Sequence, residues 1–396
     1  MVTYVALLML LQLGVAPAAA TVFSALLFIP WVLKSFMRSW VRRVGNFKQM
    51  LHLIEVLLFI VLVVLAFSFN HGPVTVFVAL FFVSLLCAWH ELAARMYYER
   101  MLLPAYQRLL TAPKLACSQV AIIFTYGALI FLVGTLQVYF RQIRYSWSMG
   151  CYVAAGLFLI FTIHHLIWLK SPRVGDGGDN HSLGASVKAE LRIIDRIRHQ
   201  KRWWQPVLIL FLLLLPQGLM FHARVLYLYM SESQGGLQCT MQEIGFAQGT
   251  VGVIAFSVGL FIGRRLIQNY SLLRLFWSMS ISIVLSPFVY LCMTVWPPQT
   301  LWMLCCCTMT AQFLFGLGLS TCRLPISIIS GARYRNTINM LQIPLVSAAM
   351  IVPMAISGWL VEQMGFSSYF IMNALSAPFC LLGILLLKHR GNPLTL

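Results

Sequence analysis

Lys170–Trp204 reads KSPRVGDGGDNHSLGASVKAELRIIDRIRHQKRWW, the longest polar stretch of the chain, and it carries eight of the 28 Lys and Arg residues. What flanks it decides the fold. Apolar runs of about 17–25 residues read as membrane-spanning helices. Five precede the stretch, at 20–37, 49–69, 73–93, 117–140 and 147–169, and six follow it, at 205–229, 245–263, 272–295, 300–322, 342–361 and 367–387. Ahead of all of them lies Met1–Leu13, which at about 1.5 Å per residue reaches roughly two thirds of the way across a hydrocarbon core of about 30 Å. It reads as the outer part of a further helix whose cytoplasmic part is missing, making twelve spans in two sets of six. A signal peptide ending in the small residues Ala16–Ala20 is the competing reading, weakened by the lack of a basic leading segment.

Composition excludes a soluble globule. With 60% hydrophobic and 10% charged residues and a mean hydropathy of +0.84, the chain has too little polar surface to coat one. Its formal charge of +18 would suggest nucleic acid in a soluble protein, but the cations are parcelled into alternate gaps between spans. Four lie at Arg38–Lys48, four at Arg95–Lys114, eight in Lys170–Arg202, three at Arg264–Arg274, three at Arg323–Arg335 and two in the tail (Lys388, Arg390), whereas the other gaps hold only Arg141 and Arg144. Cytoplasmic loops carry the Lys/Arg excess, so the basic gaps and the C-terminus are expected inside. The partner expected for that charge is the anionic lipid of the cytoplasmic leaflet, not nucleic acid.

The chain therefore divides into an N-terminal six-helix bundle (1–169, first helix partial), a cytoplasmic linker (170–204) and a C-terminal six-helix bundle (205–396). In the linker, Ser171–Gly184 is Gly/Asp/Ser-rich and flexible. Ala185–Trp204 sets Val187, Leu191, Ile194 and Ile197 at near-helical spacing among basic residues, as in a helix lying along the inner surface; a solvated segment without a helix is the alternative. Two six-helix halves joined by a cytoplasmic loop are the plan of the major facilitator superfamily, whose substrate site lies near the midplane between the halves. The expected class is an all-α membrane protein of that kind, a monomer with no cofactor.

Three segments carry a closer likeness. Phe23–Gly45 (FSALLFIPWVLKSFMRSWVRRVG), Gly235–Gly263 (GGLQCTMQEIGFAQGTVGVIAFSVGLFIG) and Phe313–Phe370 (FLFGLGLS, then SGWLVEQMGFSSYF) resemble the AmpG-type muropeptide permease branch. The resemblance implies proton-driven import of peptidoglycan fragments across a bacterial inner membrane. Three places depart from that branch. A His-Asp-Ile-Ala-x-Asp pattern on the fourth helix reads His90, Glu91, Leu92, Ala93, Ala94, Arg95 here. A Tyr-Arg and Glu group on the seventh is Leu214, Leu215, Pro216, Gln217, Gly218, and a Lys-Thr-Ser-His stretch before the eleventh is Arg335, Asn336, Thr337, Ile338. These changes imply a relative with an altered ligand.

Ionisable groups inside a bilayer are costly and are functional candidates by default. Lys34, Glu55, His90 and Glu91 fall in the cytoplasmic half and are the candidates for proton coupling or gating, with Glu55 the deepest acid. Static pairs Lys34–Glu55 or Glu91–Arg95 are the structural alternative. His90 and Glu91 are neighbours, so about 100° separates their side chains and one cavity cannot take both. His164 and His165 read as interfacial residues.

For the substrate, Pro216-Gln217-Gly218 at mid-span predicts an interrupted seventh helix, and interruptions at that depth point to binding sites. Gln217, Gln312 on the tenth helix and Tyr126 on the fifth offer hydrogen bonds to a sugar or peptide, while Arg224, with His222 nearby, offers bidentate binding of a carboxylate or phosphate. Snorkelling of Arg224 to the outer headgroups is the alternative. The ten Cys residues are scattered and Cys305–Cys307 fan around one helix, so neither a disulfide framework nor a metal site is expected. No P-loop, dinucleotide fingerprint or zinc helix occurs, and an enzyme is not expected. A non-transporting sensor, or a facilitator for another small molecule, remain the other classes.

Overall fold

The computed structural model describes residues 2–34, 37, 41, 47–170, 192, 195, 199, 204–270, 272–319 and 335–376, and no strand occurs among them. We label the helices α1 Val2–Gln12, α2 Pro17–Leu26, α3 Phe47–Ser68, α4 Pro73–Met101, α5 Pro113–Phe140, α6 Ile143–Trp168, α7 Trp204–Tyr229, α8 Met241–Leu266, α9 Leu272–Val295 and α10 Leu301–Leu319. A last helical stretch, Arg335–Leu375, is broken where Gly365 adopts φ 73°, which separates α11 (335–364) from α12 (366–375). Eight of the described helices are long and apolar enough to cross a membrane.

As far as the described residues reach, helices stand where spans were predicted, with local differences that have physical causes. α4 runs to Met101, past the expected end at 93, and its extra turns carry an Arg95–Glu99 pair at 2.9 Å with the i, i+4 spacing that supports a helix. The second span breaks after Leu26 and resumes as a short helix, Ile29–Val32, with Pro30 in its first turn. The interruption expected at Pro216-Gln217-Gly218 is absent. α7 continues through Pro216, and Gly218 instead provides a close contact with α11, where an added Cβ would lie 2.8 Å from Pro353 Cβ. Of the expected amphipathic helix in the linker, only Arg192, Asp195, His199 and Trp204 are described. His199 and Asp195 pair at 3.3 Å. The rest of that helix, and the last span beyond residue 376, lie outside the described residues.

α1 is the centre of the packing. Every residue from Thr3 to Leu11 is buried, and its side chains join Leu80 and Val83 of α4, Met220, Ala223 and Leu226 of α7 and Tyr369 and Phe370 of α12 in the largest apolar cluster. Around it the first six helices meet the last six along two seams. At one seam α5 and α8 each widen into a π-helical segment, Phe124–Ala128 and Ile244–Val251, and the two segments lie against each other. Gly249 there leaves no space for a side chain against the Tyr126 carbonyl, and a Cβ on Gly245 would come within 2.9 Å of the Gly127 carbonyl oxygen.

At the other seam α2 lies along α11. Gly358 has no room for a side chain against the Pro17 carbonyl and Thr21, and the Thr21 hydroxyl reaches the Ala355 carbonyl at 3.1 Å. Glu362 Oε1 accepts the Ala18 amide at 2.9 Å, satisfying one of the free N–H groups of α2 with an anion on the positive end of its dipole. Aromatic residues mark both rims. Tyr139, Tyr145, Trp296 and Trp302 stand exposed at the end away from the basic loops, and Tyr106, Trp168 and Trp204 at the basic end, as interfacial belts do.

If the α5–α8 seam needs backbone contact, Gly249→Val should cost about 1–3 kcal/mol by overpacking. Gly156→Ala, on α6 where nothing lies within 4 Å of an added Cβ, should be neutral or slightly stabilising. Thermal unfolding in detergent measures both, and equal melting temperatures for Gly249→Val and the parent would refute the seam's importance.

Candidate substrate site and coupling cluster

Between the halves, Arg224 of α7 is buried at 7% exposure with its guanidinium over the Phe221 ring at 5.0 Å. Among the described residues it has no carboxylate partner, and its Nε has no protein hydrogen-bond partner. Three tyrosines contributed by both halves lie within its electrostatic reach: Tyr4 of α1, Tyr126 of α5 and Tyr290 of α9. The Tyr4 and Tyr126 rings stack with centroids 4.4 Å apart, and the buried Tyr4 hydroxyl likewise has no protein partner. Tyr290 donates to Gln248 Oε1 of α8 at 3.2 Å and lies against the Gln312 amide of α10. The result is a cation, two stacked rings and two amides converging between the halves, with two buried polar atoms unpaired. Unpaired buried polar groups are rare and costly, and an anionic ligand with hydroxyl or amide groups satisfies both.

This arrangement gathers three of the sequence-predicted substrate residues, Arg224, Tyr126 and Gln312. Gln217 and His222 are held by further contacts of their own. Gln217 is buried two turns away on α7 and donates to the Ile283 carbonyl at 3.2 Å. His222 is fully buried and holds a different contact, with Nε2 3.4 Å from Ser24 Oγ of α2 and Nδ1 3.2 Å from the Met354 carbonyl of α11. His222 thus takes part in the α2–α11 seam, while it too lies within electrostatic reach of Arg224. Tyr4, Gln248 and Tyr290 are site residues that sequence reasoning missed. The available signal was a tyrosine placed in mid-span, since membrane tyrosines ordinarily sit at the interface.

A second polar cluster lies in the basic half of the first bundle. Glu55 of α3 is 1% exposed, and three imidazoles converge on its carboxylate: His165 Nδ1 of α6 at 2.6 Å, His90 Nε2 of α4 at 3.3 Å and His52 Nδ1 at 3.4 Å. Glu91, one residue from His90 and turned away from it, pairs instead with Lys34, whose ammonium also lies 5.2 Å from the Trp31 ring centre. Among the described residues Lys34 meets Glu91 rather than Glu55, and Arg95 pairs with Glu99. His165 is not a bland interfacial residue, whereas His164 does stack on Trp168 at 6.2 Å. Glu55 with His52, His90 and His165, and Lys34 with Glu91, thus form two neighbouring polar groups in this half of the bundle. Among the described residues no group of three or more His, Cys, Asp or Glu is arranged to hold a metal ion.

No protein-family model matches the sequence, and no curated protein matches it either. Solved structures do. The chain is similar to the nucleoside transporter NupG (TM-score 0.69, 14% identity, 98% of this chain and 95% of that one covered). It is similar to a structure on substrate recognition in proton dependent oligopeptide transporters (0.66, 10%, 98% and 94%) and to an inward open conformation of the xylose transporter XylE from E. coli (0.60, 14%, 96% and 91%). At these identities the likeness is one of fold, and it extends over nearly the whole chain.

A buried cation with no acid partner among the described residues is a stability cost that the Phe221 ring and the tyrosines offset only in part. Arg224→Met, which keeps much of the length and removes the charge, is therefore expected to raise the stability of the ligand-free protein, on the order of 1–4 kcal/mol. A fall in melting temperature would instead mark Arg224 as a structural residue.

Proposed function

We propose that this chain is a secondary active transporter that imports a polar, anionic solute of the peptidoglycan-fragment class by alternating access, coupled to protons. The observation that carries the reading is Arg224, a buried guanidinium with no carboxylate partner among the described residues, held between the two halves of a transporter fold. In this reading Arg224 takes the substrate's carboxylate or phosphate bidentately. The stacked Tyr4–Tyr126 pair offers a flat face to a sugar ring, and Gln248, Gln312 and Tyr290 exchange hydrogen bonds with hydroxyl and amide groups. Gln217 lies two turns nearer the basic side, where the body of a longer ligand would reach. The fold neighbours are described as transporters of a nucleoside, oligopeptides and xylose, all polar solutes, and the oligopeptide group is described as proton dependent.

Coupling is assigned to Glu55 and the imidazoles of His90, His165 and His52, with Lys34 and Glu91 alongside. A proton delivered to this cluster changes how strongly α3, α4 and α6 are tied together, because each helix contributes a group to the same carboxylate. The alternation of basic loops supports a bacterial inner-membrane location with the C-terminus in the cytoplasm and anionic lipid against the basic face. A monomer suffices, since the site is assembled within one chain.

Purified protein in liposomes, given a labelled muropeptide and an imposed pH gradient, tests the reading: uptake should follow the gradient. Binding without uptake would make the chain a sensor, and equal uptake of a neutral solute by Arg224→Met would remove the anion from the proposal. Arg224→Lys keeps the charge but loses the fork, so the apparent affinity should fall about tenfold or more. Glu55→Gln should abolish gradient-driven uptake while counterflow exchange persists, and an unchanged pH dependence would return this cluster to a structural role.

A further inference from the structure

α8 and α10 run side by side, and at their crossing Gly259 has no room for a side chain against the Phe313 carbonyl, nor Gly316 against the Phe256 carbonyl. Drawing two backbones together leaves the larger side chains around the contact standing as the walls of a trough. Val251, Ile254 and Val258 of α8 and Met309, Phe313 and Leu314 of α10 line a groove of about 430 Å³, within the range of roughly 300–1,000 Å³ typical of ligand sites. Ile254, Val258 and Met309 are exposed there. The groove lies on the outside of the bundle at membrane depth, so what fills it is apolar.

The sequence register supplies the other end of the ligand. Val251, Val258 and Arg265 recur every seventh residue and so form one stripe of α8. Arg265 is exposed at the basic end of the helix, its guanidinium 5.3 Å over the Phe261 ring on the same outer surface. From Arg265 to Val251 is about 21 Å of helix, a little more than one leaflet of about 15 Å, half the hydrocarbon core. We propose that the groove is a specific site for one anionic phospholipid of the leaflet facing the basic loops, with an acyl chain between α8 and α10 and the headgroup phosphate on Arg265. A second copy of the chain fits the surface less well, because a two-fold contact would set groove on groove and Arg265 beside Arg265.

Native mass spectrometry of the full chain, delipidated and then given long-chain phosphatidylglycerol or phosphatidylcholine, tests this. The parent should retain one phosphatidylglycerol in preference to phosphatidylcholine. Arg265→Gln should reduce that preference about fivefold, while Lys170→Gln, which removes a cation from the same face away from the groove, should leave it intact. Val258→Trp fills the groove and should lower retention of both lipids; Ile254→Ala widens it without steric demand and should loosen retention even if the tryptophan variant fails to fold. Equal losses in Arg265→Gln and Lys170→Gln would reduce the effect to general leaflet charge and overturn the site. Retention in both groove variants at the parent's level would also overturn it, as would equally tight binding of short-chain phosphatidylglycerol or inorganic phosphate. A dimer that Val258→Trp dissociates, with lipid retention unchanged, would assign the groove to a second copy instead.

Discussion

Backbone contact between the two halves, at Gly249 on Tyr126 and at Gly358 on Pro17, sets where every polar group of the central site stands. Inside a bilayer no hydrophobic force draws helices together, since lipid tails are as apolar as leucine, and close packing of small residues does that work instead. Here the packing is joined to a change in helix type. The π segments Phe124–Ala128 and Ile244–Val251 each widen the helix by one residue, and the freed groups are met locally, as where the Thr308 hydroxyl reaches the Ala247 carbonyl at 3.3 Å. Tyr126 and Gln248 both belong to these segments. The carbonyl of Tyr126 is part of the seam while its ring is stacked on Tyr4, so one residue links the contact between halves to the site between them.

Two of the segments singled out in the sequence have a structural explanation at the seams. In GGLQCTMQEIGFAQGTVG, the loop folds back on the end of α7, with Leu237 and Cys239 amides bonded to Tyr227 and Leu228 carbonyls at 2.8 Å. Thr240 and Glu243 then close a capping box, and the glycines that follow make the α5–α8 contact. In SGWLVEQMGF, Gly358 and Glu362 hold α2 while Gly365 turns the chain into α12. Those residues describe how the halves are joined and say little about a ligand; the proposed substrate class rests on Arg224 and its neighbours.

The fold was legible because the bilayer imposes one length and one composition on every span, and the chain repeats that signal between basic gaps. Arg224 was legible for the same reason, as a cation where none is tolerated without cause. The pairings of the inner cluster were not. Lys34, Glu55, Glu91 and His165 can all be placed at similar depth from the sequence, but which of them meet depends on the rotation and tilt of four helices, which depth does not determine. Lys34 found Glu91 because the short helix Ile29–Val32 that precedes it lies against α4, while Glu55 found the histidines where α6 and α4 lie against α3. Pro216 misled in the opposite sense: a proline predicts a break, yet α7 accommodates it within a continuous helix, and Gly218 beside it serves contact with Pro353.

Among the described residues Arg224 has no acid partner, and under the proposed function this bears on how the two halves would move. A guanidinium in a low-dielectric site is stabilised only in part by tyrosine hydroxyls and the Phe221 ring, so the empty site stands at higher free energy than the occupied one. The groups that relieve it come from α1 and α5 in one half and from α7, α8, α9 and α10 in the other. A ligand that completes the cluster therefore binds best when those helices are at the spacing seen here, and its binding energy biases the relation between the halves. In this reading, charge without a partner is what lets substrate, rather than the resting protein, decide which arrangement of the two bundles is favoured.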